Sequence, residues 1–366
     1  MKSSGPIKVA VLGASGYTGA ELLRLLTGHP RMEIVAVTSE KSAGSSVSSV
    51  FPHLASVLPQ TFEALAPDAI ATRADAVFSA LPHTQSLTPV ATCVAAGRRV
   101  VDLSADYRLK SPTAYATWYQ TGHPYPDLLQ KAVYGLPELR RDEIRSARLV
   151  ASPGCYATAA ILQLAPLAAR GLIRPHTIVI DAKSGISGAG RSPSLPYHFP
   201  EAHESLEAYM IGRHRHTPEI EQELSALARR TARRGPGTAV AEQAEAMTVL
   251  LTPHLAPMNR GILSTAYCRL QEPMGVADLR ALYRDFYKSD RFIRIQEGES
   301  SPNPRHSRGS NFCDLAVFAD TRSDWVITIA ALDNLVKGAA GQAIQAMNLM
   351  LGFSEDTGLT APGVYP

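Results

Sequence analysis

The strongest constraint on the fold is a repeated glycine spacing near the start of the chain. Residues 7–12 are an apolar run that predicts a buried strand, and the segment Gly-Ala-Ser-Gly-Tyr-Thr-Gly follows at once. Apolar residues at helical spacing predict a helix over 17–27, and residues 32–38 are typical of a second strand. A strand, a glycine turn, a helix and a strand in this order are the context of a dinucleotide-binding motif.

The three glycines stand three residues apart and are expected to do different things. Gly13 permits a tight turn, Gly16 lets the backbone approach a pyrophosphate, and Gly19 lets the helix pack closely. A plain structural turn is the alternative, and the strand–helix–strand context favours cofactor binding over it. In this part of the chain we expect the following residues to contact the cofactor: Gly13, Ser15, Gly16, Tyr17, Thr18, Gly19, Thr38 and Ser39.

The end of the second predicted strand indicates which dinucleotide is bound. Enzymes that use NAD usually place an acidic residue there, where it bonds the ribose hydroxyls. Here the strand ends in Thr38 and Ser39, and Glu40 and Lys41 follow. Ser39, Lys41 and Ser42 suit a 2′-phosphate, whereas Glu40 would repel it if turned inward. This pattern predicts NADP(H).

The remaining patterns predict two domains of different class. Strands at 7–12, 32–38, 75–80, 99–103 and 148–151 alternate with helices at 17–27, 84–97 and 139–146, which is typical of a mostly parallel α/β sheet. Later β-rich segments (176–182, 247–252, 261–270, 325–332) and helices (155–170, 217–233, 276–289) predict an α+β domain on an antiparallel or mixed sheet. We expect a Rossmann-type dinucleotide-binding domain over 1–152, completed by a C-terminal helical segment 334–366, and a catalytic and substrate domain over 153–333. Segment 231–245 is predicted to be a flexible excursion.

Composition excludes several classes of partner. The net charge is only +3 and the arginine pairs are scattered, so nucleic acid is not expected as a partner. No apolar run is long enough for a membrane span, and because residues 1–6 include no apolar stretch we expect no secretory signal. Four widely spaced cysteines without a Cys-x-x-Cys pair suggest neither a disulfide framework nor a zinc site. We expect a cytoplasmic protein without a bound metal.

Cys155 is the candidate nucleophile. It follows Pro153 and Gly154 and precedes an apolar helical pattern, so the thiol is predicted at a helix N-terminus. There, free backbone N–H groups and the helix dipole favour the thiolate and can hold an oxyanion. The alternative is a small buried hydrophobe, which is how we interpret the other cysteines: Cys93, Cys268 and Cys313.

A histidine pair supplies a candidate acid and base. His214 and His216 directly precede Thr217 and Pro218, a good cap and a good first residue for a helix. If this segment is extended, the two side chains project to the same side. Glu219 stands three residues after His216 and can orient its ring. Two ordinary surface histidines are the alternative, which a nearby Cys nucleophile disfavours.

Three further segments carry candidate binding residues. The small residues of 184–191 suit a backbone that wraps an anion or a cofactor, with a flexible hairpin as the alternative, and Ser187 and Gly188 are assigned to the cofactor. Asn334 is a plausible partner for a nicotinamide carboxamide, or else the cap of a small-residue helix. Arg108 follows a predicted strand and can grip a carboxylate or phosphate, with a surface ion pair to Asp106 as the alternative.

Taken in order, five segments resemble the N-acetyl-gamma-glutamyl-phosphate reductase family: 13–19, 152–158, 184–191, 214–219 and 334–342. The resemblance implies a Rossmann domain plus a substrate domain of the semialdehyde dehydrogenase type, NADP(H), and a homodimer or homotetramer. It also implies the third step of arginine biosynthesis, in which N-acetyl-L-glutamyl 5-phosphate is reduced to the 5-semialdehyde and inorganic phosphate. By motif position Cys155 is the nucleophile and His216 or His214 the acid/base; we favour His216 because Glu219 can orient it.

The resemblance also bears on the substrate site. The acyl phosphate carries a carboxylate and a phosphate, for which we nominate Arg108 and Arg191 without deciding which holds which, together with Ser152. Two alternatives stay open. One is a sister reductase for aspartyl phosphate or an aminoadipate analogue, although the stretch Pro-His-Leu-Ala-Pro-Met-Asn-Arg-Gly at 253–261 lacks the Arg-x-Pro-Val…Gly-His pattern of the aspartyl enzyme. The other is a catalytically silent dinucleotide sensor.

Overall fold

A computed structural model describes residues 5–64, 66–232 and 245–365 of the chain. The chain divides into two compact units: Met1–Gly154 with Ala339–Ala361, and Cys155–Gly338 with Pro362–Pro366. The sequence predicted residues 334–366 in the first domain and 153–154 in the second, whereas compactness places 334–338 and 362–366 in the second unit and 153–154 in the first. The excursion predicted over 231–245 falls mostly on residues 233–244, which lie outside the described residues.

The first unit is built on a parallel sheet that, in the described residues, has six strands in the order β2-β1-β3-β4-β6-β5. The strands are β1 (Ile7–Leu12), β2 (Met32–Val37), β3 (Ala76–Ser79), β4 (Arg99–Asp102), β5 (Val133–Tyr134) and β6 (Leu149–Ala151). The order reverses at β1, whose neighbours are β2 on one side and β3 on the other. Ligands of such sheets bind beyond the carboxyl end of the strand at this reversal, where the glycine turn lies.

Helices cover the first sheet and complete its core. They are α1 (Tyr17–Thr27), α2 (Val47–Val50), α3 (Pro67–Arg73), α4 (Leu87–Ala95), α5 (Pro112–Tyr119), α6 (Pro126–Lys131), α7 (Pro137–Ser146) and α13 (Gly341–Leu351). Helix α13 packs on β4 and α7, and its residues from Gly341 to Met350 are all buried. The Gln342 side chain donates to the Gly135 carbonyl (2.9 Å), so even its polar groups face the interior.

The second unit is built on a mixed sheet that, in the described residues, has seven strands in the order β11-β12-β13-β10-β7-β9-β8. The strands are β7 (Ile178–Gly185), β8 (Glu207–Ala208), β9 (Val249–Ala256), β10 (Ile262–Arg269), β11 (Ile293–Ile295), β12 (Cys313–Ala319) and β13 (Trp325–Leu332). The helices are α8 (Cys155–Ala169), α9 (Phe199–Ala202), α10 (Thr217–Ala232), α11 (Val276–Phe286) and α12 (Pro304–Ser307). Helix α8 packs against α10, β10 and β13 and is buried from Tyr156 to Ala168. The two sheets confirm the predicted α/β and α+β parts.

The structure confirms a helical C-terminal segment, and in the described residues it adds four strands that the sequence did not predict: β5, β8, β11 and β12. The predicted helical segment begins with a π-helical turn over Val336–Ala340 and continues without a break as an α-helix over Gly341–Leu351. Strand β12 was missed because Asp314 interrupts its apolar run. That carboxylate is buried, and Arg294 compensates its charge by donating to both oxygens (2.5 and 2.9 Å).

In the part of the chain that the structure describes, no helix is long and apolar enough to cross a membrane.

Candidate active site

The glycine turn of the first unit has the backbone geometry that the sequence predicts. Gly13 has φ +70°, and a Cβ there would lie 2.9 Å from the Ala80 carbonyl oxygen. A Cβ on Gly19 would lie 2.3 Å from the Ala14 carbonyl oxygen, so α1 rests on the turn itself. Gly16, by contrast, precedes α1, and a Cβ added to it would have no atom within 4 Å. The turn therefore leaves open space at the helix N-terminus, where a pyrophosphate is favoured.

The end of β2 braces this turn. The hydroxyl of buried Thr38 accepts a hydrogen bond from the Gly13 N–H (3.1 Å), and its carbonyl accepts from Ala14 (2.8 Å). The Ser39 hydroxyl donates to Ser15 Oγ (2.7 Å). Glu40 and Lys41 are both exposed. Thr38 thus shapes the turn, and Ser39 and Ser15 form a hydroxyl pair beside it.

Cys155 begins α8, as the sequence predicts, and it differs from the other cysteines in exposure. Its side chain is half-buried, whereas Cys93, Cys268 and Cys313 are fully buried. Burial raises the pKa of Cys93 to about 11 and that of Cys268 to about 12, which makes both thiols poor nucleophiles. The structure therefore confirms these cysteines as core residues and leaves Cys155 as the accessible thiol at a helix start.

Gly338 lies against Cys155, a contact that the sequence did not reveal. A Cβ on Gly338 would stand 2.8 Å from Cys155 Cβ and 3.3 Å from its Cα. The Gly338 N–H donates to the Asp333 carbonyl (2.9 Å), which fixes the π-helical turn in this position. Only a residue without a side chain fits here.

The two histidines lie together, although the segment is a turn and not the extended chain considered above. The His214 and His216 ring centroids are 4.6 Å apart, and the His216 backbone N–H donates to His214 Nδ1 (3.2 Å). Burial, and secondarily the charge of His216, lowers the pKa of His214 to about 3. His214 is therefore a neutral ring whose Nδ1 accepts a hydrogen bond, and it cannot act as a cationic acid near neutral pH.

Glu219 lies near the ring of His216, but Thr217 does not cap the helix as predicted. The Glu219 carboxylate is fully buried, with Oε1 4.0 Å from His216 Nε2, close enough to bias the ring's orientation. Thr217 is the first residue of α10, and its hydroxyl is buried without a hydrogen-bond partner among the described residues. The turn is closed instead by the Thr217 N–H, which donates to the His214 carbonyl (2.9 Å).

Two tyrosines that the sequence analysis did not assign complete this cluster. The Tyr156 ring lies 5.5 Å from His214 and 6.0 Å from His216, and the Tyr209 ring lies 5.7 Å from His214. Tyr209 Oη donates to Tyr156 Oη (3.3 Å), which donates to the His254 carbonyl (2.9 Å). Because Tyr156 follows Cys155 directly, this packing joins the start of α8 to the histidine turn.

The turn after β7 is braced by Asn334. A short 3₁₀ helix covers Ile186–Ala189, and the Ser187 hydroxyl accepts from Asn334 Nδ2 (3.0 Å). Asn334 Oδ1 accepts from the Gly261 N–H (2.7 Å), and the residue is buried. A Cβ on Gly188 would lie 2.9 Å from Ser184 Oγ. Both ends of the Asn334 amide bind the protein here, so its contact with a nicotinamide stays a prediction.

The residues nominated for the substrate belong to different units of the chain. Arg108 is buried in the first unit, where Nε donates to the Ser152 carbonyl (2.8 Å) and Nη2 to the Leu103 carbonyl (2.9 Å). The alternative of a surface ion pair with Asp106 is wrong, because both residues are buried. Arg191 is exposed in the second unit. Arg108 therefore holds the segment just before Cys155, and Arg191 is open to solvent.

Two family models match the chain in the same order as its units. Residues 8–147 match the semialdehyde dehydrogenase, NAD binding domain, and residues 155–334 match the semialdehyde dehydrogenase, dimerisation domain. Solved structures show the same fold: aspartate semialdehyde dehydrogenase II of Vibrio cholerae complexed with ASA has a TM-score of 0.69 at 15% identity, over 95% of this chain and 99% of that one. The Candida albicans enzyme with NADP has a TM-score of 0.69 at 18% identity, over 96% and 100%.

Proteins with much higher sequence identity to this chain are named N-acetyl-gamma-glutamyl-phosphate reductase. The N-acetyl-gamma-glutamyl-phosphate reductase of Geotalea daltonii is 50% identical over 98% of this chain and 100% of its own length. That of Geobacter metallireducens is 49% identical over the same shares. On this full-length similarity, the chain belongs to the N-acetyl-gamma-glutamyl-phosphate reductase family.

Proposed function

We propose that the protein reduces N-acetyl-L-glutamyl 5-phosphate to N-acetyl-L-glutamate 5-semialdehyde and inorganic phosphate with NADPH, as a step of arginine biosynthesis. The observation that carries the proposal is the 50% identity, over essentially the whole chain, to a reductase of that name. An accessible thiol at the start of α8 and a histidine pair packed on the next residue supply the chemistry that this reaction needs.

In the first step the Cys155 thiolate attacks the acyl carbon. A carbon–sulfur bond forms, the carbon–oxygen bond to phosphate breaks, and phosphate leaves with the electron pair. The backbone N–H groups at the start of α8 favour the thiolate before attack and the oxyanion during it. The product of this step is a thioester on Cys155.

In the second step the thioester is reduced and the semialdehyde is released from Cys155. NADPH, when bound, supplies a hydride to the thioester carbon. His216 donates a proton to the carbonyl oxygen as charge develops there, and takes it back when the carbon–sulfur bond breaks and the thiolate departs. His214 remains neutral throughout, because its pKa is about 3. This assigns the acid/base role to His216, with Glu219 orienting it at 4.0 Å.

The first unit supports a nicotinamide dinucleotide, and we propose a preference for NADP(H). The open space at Gly16 and the N-terminus of α1 suit a pyrophosphate. Just beyond β2, near the predicted ribose position, the acidic residue Glu40 is exposed, while Ser39 is buried with its hydroxyl on Ser15 Oγ, and neither serine carries a charge that would repel a 2′-phosphate. Comparable catalytic efficiency with NADPH and NADH would refute this preference.

For the substrate we propose that Arg191 binds one anionic group. Arg108 acts indirectly, by holding the backbone at Ser152. Arg191 is exposed beside the turn after β7, so it is accessible to a carboxylate or phosphate. Arg108 instead fixes the Ser152 carbonyl and so the segment that carries Cys155. The match to a dimerisation domain supports a homo-oligomer.

The assay that tests the function runs the reaction in reverse. Purified protein is given NADP, phosphate and one of three aldehydes: N-acetylglutamate semialdehyde, aspartate semialdehyde or the aminoadipate analogue. We expect phosphate-dependent NADP reduction with the first and at least tenfold lower efficiency with the others, and Cys155→Ser should abolish turnover while binding NADP normally. Equal or better use of aspartate semialdehyde would move the protein to the sister reaction, and full turnover by Cys155→Ser would overturn the mechanism.

A further inference from the structure

A buried carboxylate stands at the end of β13, next to the π-helical turn that lies against Cys155. Asp333 is fully buried and directly follows Leu332, the last residue of the strand. Leu332 is also the last residue of β13 that pairs with its neighbours, opposite Ile262 of β10 and Cys313 of β12. The strand ladder ends there, so the course of the chain after Leu332 depends on other contacts.

Both carboxylate oxygens of Asp333 bind groups that can only donate. Oδ1 accepts from the Leu335 N–H (2.8 Å) and from the Val336 N–H (3.2 Å). Oδ2 accepts from the Gly309 N–H (2.7 Å) and forms an ion pair with Arg260, whose Nε lies 3.3 Å away. An asparagine side chain has one oxygen and one NH₂ group, so on one side a donor would face a donor. The partners therefore suit a carboxylate and not an amide.

These bonds fix the turn that carries Gly338. The Asp333 side chain binds the first N–H groups of the turn, and its carbonyl accepts from the Val336 N–H (3.2 Å) and the Gly338 N–H (2.9 Å). One residue therefore holds the turn from its start as far as Gly338. Because a Cβ on Gly338 would stand only 2.8 Å from Cys155 Cβ, any movement of the turn changes the surroundings of the thiol.

We propose that Asp333 is a positioning residue for Cys155: it holds the π-helical turn so that Gly338 stays in contact with Cys155 and the thiol stays at the start of α8. The inference rests on the proposed function, because it takes Cys155 as the nucleophile. A thiol at a helix N-terminus is favoured as the thiolate and lies where backbone N–H groups can hold an oxyanion. Loss of this position lowers the rate of the chemical step and leaves cofactor binding, which we assign to the first unit, unchanged.

The test changes Asp333 to asparagine and compares it with a matched control. Asp314 is also fully buried in the second unit, and Arg294 of β11 donates to both of its oxygens. Asp314→Asn therefore removes an equally buried charge whose carboxylate binds a neighbouring strand instead of the turn. We expect Asp333→Asn to lower kcat by about 10²-fold, the cost of a displaced reacting group, with little change in KM or in NADP binding. Asp314→Asn should keep kcat much closer to that of the wild type.

Alkylation of the cysteines separates positioning from folding. In Asp333→Asn, iodoacetamide should label Cys155 about two- to fivefold more slowly than in the wild type, which is the size of a charge effect at a helix terminus. The three buried cysteines should stay protected, whereas unfolding would expose them. This measurement uses neither substrate nor cofactor, so it tests the inference even if the protein reduces a different acyl phosphate. Failure of the inference is therefore distinct from failure of the proposed function.

A second variant keeps the test valid if Asp333→Asn does not fold. Asp333→Asn/Arg260→Gln also removes the guanidinium that faces the lost charge, and we expect the same slow labelling of Cys155 with the buried cysteines protected. A wild-type kcat in Asp333→Asn, an equal loss of kcat in Asp314→Asn, or a loss confined to KM would each overturn the proposal. Labelling of the buried cysteines in both Asp333 variants would overturn it as well, because Asp333 would then maintain the fold and not the position of the thiol.

Discussion

Adding one methyl group at Gly338 should disable the nucleophile without unfolding the protein. In Gly338→Ala the new Cβ would stand 2.8 Å from Cys155 Cβ, whereas carbon atoms in contact lie about 3.5–4.0 Å apart. Cys155 or the π-helical turn must therefore move by roughly 0.7–1 Å, at a cost of about 1–3 kcal/mol. A displacement of about 1 Å at a reacting group can cost about 10²-fold in rate, and that is the loss of kcat we expect.

The measurement separates displacement of the thiol from loss of the fold. We expect a slower alkylation of Cys155 together with unchanged NADP binding, which reports on the first unit. Gly122→Ala is the matched control, because the same methyl group at Gly122 has no atom within 4 Å. The reasoning is refuted if Gly338→Ala keeps wild-type kcat, or if Gly122→Ala loses as much.

Further predictions address Cys155, the two histidines and Arg108. Iodoacetamide should label Cys155 well before any other cysteine, as peptide mapping would show; uniform labelling would contradict its assignment as nucleophile. His216→Asn should lower kcat by roughly 10²–10⁴-fold, and His214→Asn should act more on KM; severalfold effects from both would place the acid/base elsewhere. Because burial and then the charge of His216 lower the pKa of His214 to about 3, the unfolded chain takes up this proton first, so the free energy of unfolding should fall as pH drops from about 6.5 towards 3. Urea denaturation should show a smaller fall in His214→Asn, and an equal fall would contradict the assignment. Arg108→Lys cannot reach both carbonyls and should lower the free energy of unfolding by about 1.5–3 kcal/mol; an unchanged denaturation midpoint would argue against it.

Local chemistry made the first part of the site predictable. The turn at Gly13 needs a positive φ and the contact of Gly19 with Ala14 leaves no room for a side chain, so the residue types themselves disclose the geometry. The start of α8 at Cys155 follows in the same way from a break and then helical spacing. Such features depend on neighbours in sequence.

Contacts between segments that are far apart in sequence could not be predicted from the sequence. Nothing in the chain signals that Gly338 meets Cys155, because only the folded unit brings residues 183 positions apart into contact. The packing of Tyr209 and Tyr156 on the histidines is of the same kind. The burial of Arg108 was also hidden, since a guanidinium that binds two carbonyls has no pattern of its own.

Cys155, the proposed nucleophile, stands where the chain passes from the first unit to the second. The first compact unit ends at Gly154 and the second begins at Cys155, while the chain returns to the first unit immediately after Gly338, the residue that touches Cys155. A gene cut at this point to express the second unit alone would turn the Cys155 amide into a free ammonium at the start of α8. The new positive charge would face the helix dipole and alter the thiol, so fragments of the second unit need a start point upstream of residue 155.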